Sequence, residues 1–147
     1  MSYHLAQLNV ARLLYDLEDA RIDEFRNNLD RINALAESIE GFVWRLKGDS
    51  GNATEIPVAP DPMLVANMSV WKNVASLKAF AYETDHVEFL RKKKLWFEKP
   101  KGQYMVLWWI EEGHNPSLEE GMARLEFLEK NGSSEKAFSF RKIFDPK

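Results

Sequence analysis

Apolar residues along the chain recur at two spacings, one of two residues and one of three to four. Residues 4–11, HLAQLNVA, alternate imperfectly, as a half-buried strand does. From Ile22 the steps lengthen: Ile22, Phe25, Leu29, Ile32, Leu35, Ala36 and Ile39 form a stripe, with Asp23, Glu24, Asn27, Asp30 and Glu37 off it. That is the helical period. Asp19 stands where an N-cap belongs, and Gly41 supplies the stop. Residues 42–47, FVWRLK, return to alternation, with Phe42, Trp44 and Leu46 on one face and Val43, Arg45 and Lys47 on the other. The polar stretch from Gly48 to Pro62 has no periodicity and is long for a connection, which marks it as a working loop or a mobile one. Residues 64–71, LVANMSVW, form a third strand, and with no helix between them the second and third strands pair antiparallel.

Val74, Leu77, Phe80 and Ala81 again have helical spacing, and a further helical segment runs from about Asp85 to Phe97, where Pro100 and Gly102 end it. Residues 103–110, QYMVLWWI, make a fourth strand. Ser117 with Glu120 three residues later is a capping-box pattern, opening a helix that carries Leu118, Met122, Leu125 and Leu128 and stops near Asn131-Gly132. A tail from Ala137 to Phe144 alternates Phe138, Phe140 and a final Phe144, as an extra edge strand would. The order β-α-β-β-α-β, then a helix and a tail, predicts an α+β ferredoxin-like domain over residues 1–147: four antiparallel strands with two helices on one face. The other face then needs cover. Trp108 and Trp109 are consecutive and point to opposite sides, so one whole side would otherwise be a large apolar patch. A second copy of the chain is the simplest cover, and a homodimer is expected.

Composition narrows the function. The 147 residues carry 20 basic and 23 acidic side chains, a net charge of −3, which does not suggest a nucleic-acid or anionic-membrane binder. The run Arg91-Lys92-Lys93-Lys94 covers all sides of a helix and reads as a solvated face. There is no cysteine, which excludes disulfides, thiolate metal sites and a cysteine nucleophile. The longest apolar run, Met105 to Ile110, is far short of the ~20 residues that span a bilayer. Met1-Ser2-Tyr3-His4 has no secretory character, so a soluble cytoplasmic protein is expected. His4, His86 and His114 lie on different elements without ligand spacing, and no metal site is expected.

The strand Asn67-Met68-Ser69-Val70-Trp71, the following Ser76-Leu77-Lys78-Ala79-Phe80 and the segment Thr84-Asp85-His86-Val87 resemble the dimeric α/β-barrel superfamily, which includes the antibiotic-biosynthesis monooxygenases. Over nearly the whole chain, His4-Leu5-Ala6-Gln7-Leu8-Asn9, Gly41-Phe42-Val43-Trp44-Arg45-Leu46, Ser50-Gly51-Asn52-Ala53-Thr54 and Ala137-Phe138-Ser139-Phe140-Arg141 resemble a bacterial family of unknown function in that superfamily. The resemblance implies a dimeric barrel and a small hydrophobic or aromatic substrate. It also implies a cofactor-independent oxygenase mechanism, in which a deprotonated substrate passes an electron to O2. Some superfamily members degrade haem with an axial histidine. That position falls on Leu90 here, which cannot ligate iron, so no cofactor is expected.

Candidate chemistry gathers on residues that break the apolar rule. Gln7, Asn9, Asn67 and Ser69 share the parity opposite to Leu8, Val10, Met68 and Val70, and in ferredoxin-like strand order their strands are neighbours. Asn9 and Asn67 are expected either to bond each other across the sheet or to form a polar patch in an apolar pocket. In the oxygenase mechanism they are the oxyanion donors and His86 is the base. Trp71, Trp109, Arg45 and Trp44 are the expected substrate contacts. The alternatives are a non-catalytic binder of the same class of molecule, and a structural dimer whose interior is filled by side chains.

Overall fold

A computed structural model describes residues 2–47, 61–84 and 86–146. Four strands, β1 (Tyr3–Arg12), β2 (Phe42–Arg45), β3 (Leu64–Trp71) and β4 (Met105–Glu111), form one antiparallel sheet in the order β2-β3-β1-β4. This is the ferredoxin-like order, with β1 and β3 side by side at the centre as the sequence predicts. The connection from Gly48 to Pro62 falls mostly outside the described residues.

The helices are more broken than their apolar stripes suggest. In place of one helix from Ile22 there is a 3-10 turn at Ala20–Ile22, then α1 (Asp23–Asn27) and α2 (Leu29–Ser38). Asp19 caps the turn by accepting from the Arg21 N–H. The break falls at Asn28, whose side-chain amide donates to the Glu24 carbonyl at 2.7 Å, a local bond that competes with the helical ladder. After β3, α3 (Val74–Glu83) is capped by Asn73, and α4 (His86–Lys92) tightens into a 3-10 turn at Lys93–Leu95. The predicted segment to Phe97 thus ends early, and Trp96 drops into a cluster with Leu13 and Ile22. Gly41 marks the turn into β2 with φ +98, and a side chain there would overlap Ser76.

Two corrections concern faces. A β-bulge between Phe42 and Trp44 switches the parity of β2, so Phe42 lies opposite Trp71 on one face, while Trp44 lies opposite Val70 on the other. Phe42 accordingly packs in one apolar cluster, and Trp44 with Leu46 in another. The second correction concerns the cover of the sheet. α1 to α4 lie against the face of Leu5, Trp71 and Leu107. The opposite face, with Ala6, Leu8, Met68, Val70, Val106 and Trp108, is covered by the chain's own α5 (Leu118–Asn131) through Leu125 and Leu128. The chain's own helix thus covers the centre of the side for which a second copy was expected, while Trp44, Leu46 and Leu64 on that side stay only partly buried.

α5 is seated by three devices. Ser117 accepts from the Glu120 N–H at 3.1 Å, as a capping box requires, but the Glu120 carboxylate does not return to the cap. It accepts instead from the Trp108 indole at 2.9 Å and bonds His114 at 2.7 Å, so the buried tryptophan of β4 ties down the first turn of the helix. Gly121 lets the helix backbone approach the sheet: a Cβ there would stand 3.1 Å from both Leu8 and Met68. After Gly132, at φ +74, the tail passes the edge of β4. It is not the strand the alternation suggested; only Phe138 pairs with Leu107, by backbone bonds of 2.7 and 2.9 Å. Ala137 stays with the α5 side, while Phe138, Phe140 and Phe144 pack on the side of α2 and α3.

The close approach at Gly121 gives a direct test. Replacing Gly121 by Val adds a branched side chain where Leu8, Met68 and Trp108 leave no room, and overpacking of this kind costs about 2 kcal/mol. The urea midpoint of the variant should fall accordingly, with Trp108 fluorescence reporting release of the helix before the sheet unfolds.

Candidate functional site

On the face covered by α1 to α4, apolar packing gathers at two ends. One cluster is centred on Leu5, Trp71 and Leu107; the other holds Leu13, Val65, Trp96 and Phe97. Between them, on the two central strands, lie Gln7, Asn9, Asn67 and Ser69, with Gln7 opposite Ser69 and Asn9 opposite Asn67. Gln7 and Ser69 are the buried polar residues of the described chain, at 5% and 7% exposure. Asn67 is exposed although it sits in mid-strand, so the helical layer does not close over it.

These groups form one hydrogen-bonded line. The Trp71 indole donates to Ser69 Oγ at 2.8 Å, Gln7 Nε2 donates to the same oxygen at 2.9 Å, and Gln7 Nε2 also donates to Asn67 Oδ1 at 2.8 Å. The amide pair is therefore Gln7 with Asn67, a diagonal neighbour, and not Asn9 with Asn67. Among the described residues Asn9 makes no side-chain hydrogen bond, and no described residue accepts from Asn67 Nδ2. Arg45 stands on the same face, opposite Ser69, largely covered and paired with Glu37 at 3.2 Å.

His86 opens α4 and is reached through aromatic packing. Its ring lies 4.6 Å from Phe80, and Phe80 stacks on Trp71 at 5.5 Å. Thr84 shapes this corner, donating to the Phe80 carbonyl and accepting from the His86 N–H. His86 Nδ1 lies 3.2 Å from the Ala81 carbonyl. A carbonyl only accepts, so Nδ1 carries the proton and Nε2 keeps its lone pair. Burial pushes the imidazole below its ordinary value of 6.5, against the opposing pull of the Ala81 carbonyl, and the neutral form is favoured.

The structure brings some of the expected residues together and separates others. Asn9, Asn67, Arg45 and Trp71 share one face, and His86 joins them through Phe80. Trp71 is fully buried between Phe42 and Phe80, so it is a wall behind the polar line. Trp109 is on the same face but lies towards the edge, where its indole donates to the Phe144 carbonyl at 2.7 Å. Trp44 is on the far face, a consequence of the bulge. Gln7 and Ser69 belong to the site and were not among the expected contacts, although both break the apolar alternation on the parity of Asn9 and Asn67. No three histidine or acidic side chains converge as metal ligands among the described residues. Nor is any helix among them long and apolar enough to cross a membrane.

Sheet order, helix placement and this polar line define an α+β protein of ferredoxin-like fold. Residues 4–147 match the family model described as a domain of unknown function (DUF3291), and the chain belongs to that family. No curated protein matches it. Among solved structures it is similar to PA3566 from Pseudomonas aeruginosa, at 13% identity and a TM-score of 0.50, over 78% of this chain and 98% of that one. A conserved protein from Methanosarcina mazei Go1 is similar at 13% identity and a TM-score of 0.51, over 74% and 91%. A protein from Chloroflexus aurantiacus J-10-fl, named as a candidate antibiotic biosynthesis monooxygenase, is similar at 12% identity and a TM-score of 0.43, over 78% and 98%. The first two likenesses show the fold alone.

The environment of His86 fixes the sign of one pH dependence. Its folded value is depressed, so on acidification the unfolded chain takes up this proton first. The stability gained from keeping the ring neutral is full above about 6.5 and falls as pH drops from there towards the folded value. Urea midpoints measured across this window should decline in the wild type, and a His86→Gln variant should decline less.

Proposed function

We propose that the opening at Asn67 admits a small hydrophobic, aromatic metabolite, and that the protein acts on it as a monooxygenase-like enzyme needing no cofactor. The observation that carries the reading is the pairing of buried Gln7 and Ser69 behind an exposed asparagine. In a sheet that is otherwise apolar, such a network needs a reason, and a ligand oxygen held by the Asn67 amide supplies one. Asn9, directly across and without a partner among the described residues, supplies a second polar group.

The chemistry asks little of the protein. His86 Nε2, neutral and only partly covered, takes a proton from an activated ring carbon. The negative charge spreads to the substrate oxygen, where Asn67 and Asn9 stabilise it. One electron then passes to O2, the radical pair combines to a peroxide anion that takes the proton back from His86, and loss of water from the resulting hydroperoxide leaves a ketone. Asn67 and Trp71 are four strand residues apart, roughly 13 Å along β3, and His86 lies beyond Trp71. A substrate touching both the asparagine and the histidine therefore has several fused rings. All the named groups come from one chain, so the reading does not depend on a second copy.

A second reading is a non-catalytic carrier for the same class of molecule. What favours it is that no contact among the described residues joins His86 to either asparagine.

Oxygen uptake over a panel of anthrones and quinols separates the two. The enzyme reading expects uptake with at least one anthrone, and its loss in Asn67→Leu. That substitution should cost only about 1 kcal/mol of stability, the worth of the bond from Gln7. Background uptake throughout, with an aromatic molecule retained in native mass spectra, is the carrier's result.

A further inference from the structure

A side-chain amide is two-faced: one end only donates hydrogen bonds and the other only accepts them. Whichever end Asn67 turns to the opening decides what it can hold. Asn67 is exposed, and among the described residues Gln7 is its one side-chain hydrogen-bond partner, so the choice falls to Gln7. Gln7 is itself buried, and both hydrogens of its Nε2 are committed. The Trp71 indole can only donate, so Ser69 Oγ accepts from it, and the second bond to Ser69 Oγ comes from Gln7 Nε2. The same Nε2 gives its other hydrogen to Asn67 Oδ1. With Oδ1 occupied, the NH2 end is the one left to the opening.

We propose that Gln7 is a positioning residue that sets the polarity of the ligand site. It turns Asn67 so that the site takes a molecule through an accepting oxygen, a ketone or its enolate, and discriminates against an aromatic amine of the same shape. The inference rests on the reading of the opening as a ligand site. The line runs Trp71, Ser69, Gln7, Asn67, and its direction is carried by Gln7, whose Nε2 faces both Ser69 Oγ and Asn67 Oδ1. Two strands hold it in register, since Gln7 faces Ser69 directly and Asn67 lies two residue pairs along, on the same face. An amine aimed at the Asn67 NH2 would set donor against donor, and the lost bond corresponds to about a tenfold weaker affinity.

Gln7→Glu tests this with almost no change of shape. At about pH 8 an ionised carboxylate only accepts. Ser69 can donate its hydroxyl to it while still accepting from Trp71, but Asn67 must turn its NH2 inward. Hydrogen exchange of the side-chain amides by NMR, with the Asn67 signal assigned by its loss in Asn67→Asp, reads the orientation without any ligand. In the wild type the Gln7 amide protons should be protected and those of Asn67 should exchange freely; in Gln7→Glu one Asn67 proton should become protected. A protected Asn67 proton in the wild type overturns the inference, and that measurement decides the matter even if the variant does not fold. The same holds if exchange at Asn67 is unchanged in a folded variant. Fluorenone and aminofluorene then serve as the accepting and donating probes, followed by tryptophan quenching. The wild type should prefer the ketone about tenfold and Gln7→Glu should reverse the order. Equal preference in both proteins overturns the inference, whereas failure of both probes to bind, with the amide pattern as expected, overturns the reading of the opening as a ligand site.

Discussion

Both faces of the sheet are apolar, and each must be kept from water; the architecture follows from the way one chain meets both demands. Leu5, Trp71 and Leu107 point one way, and Leu8, Val70 and Trp108 the other. The crossover helices of a ferredoxin-like unit cover only one side. Here the length beyond β4 covers the second, with α5 pressed onto the centre of the sheet at Gly121 and its first turn held by Glu120 on the Trp108 indole. Each device is local, and together they cover the centre of that face from within the chain.

Against that background the polar line under the other layer stands out energetically. Burying an amide and a hydroxyl in an apolar sheet is unfavourable unless every group finds a partner. The Gln7 NH2 finds its partners in Ser69 and Asn67, and the Ser69 hydroxyl in Gln7 and Trp71. The network is ordered inside and open at one end. That gradient, from a fully buried tryptophan to an exposed asparagine, is the arrangement expected where a protein holds a ligand in a fixed orientation on a rigid strand. The neutral His86, kept so by burial against Phe80, sits at the opposite end of the same aromatic wall.

Much of this was legible in the residues. The alternation of β1 and β3 located the central strands, and the shared parity of Gln7, Asn9, Asn67 and Ser69 placed the site on one face. The partners within it were not legible, because an amide can bond straight across or diagonally and only the register and exposure distinguish the two. Phe42 was grouped with Trp44 and Leu46 because a hydrophobic pattern carries no mark of the bulge between them; Trp44 stays with Leu46, on the face away from the polar line where it was expected as a contact. The helix from Ile22 was continuous in its stripe but not in its backbone, since the Asn28 amide competes for the Glu24 carbonyl. The covering role of α5 was missed for a different reason. Its apolar positions were plain, but whether such a stripe meets its own sheet or another chain's is decided by the turn from Glu112 to Ser117.

The passage of the tail along β4 protects the sheet as well as its aromatics. An unpaired strand margin is a template on which other chains can polymerise. At β4 the Phe138 backbone occupies Leu107, and the Phe144 carbonyl draws the tail close beside Trp109. The opposite margin, β2, is four residues long and interrupted by its bulge, too short and too twisted to recruit a neighbour readily. The fold thereby resists amyloid-like stacking at both borders, and it does so with irregularities that a more regular sheet would lack.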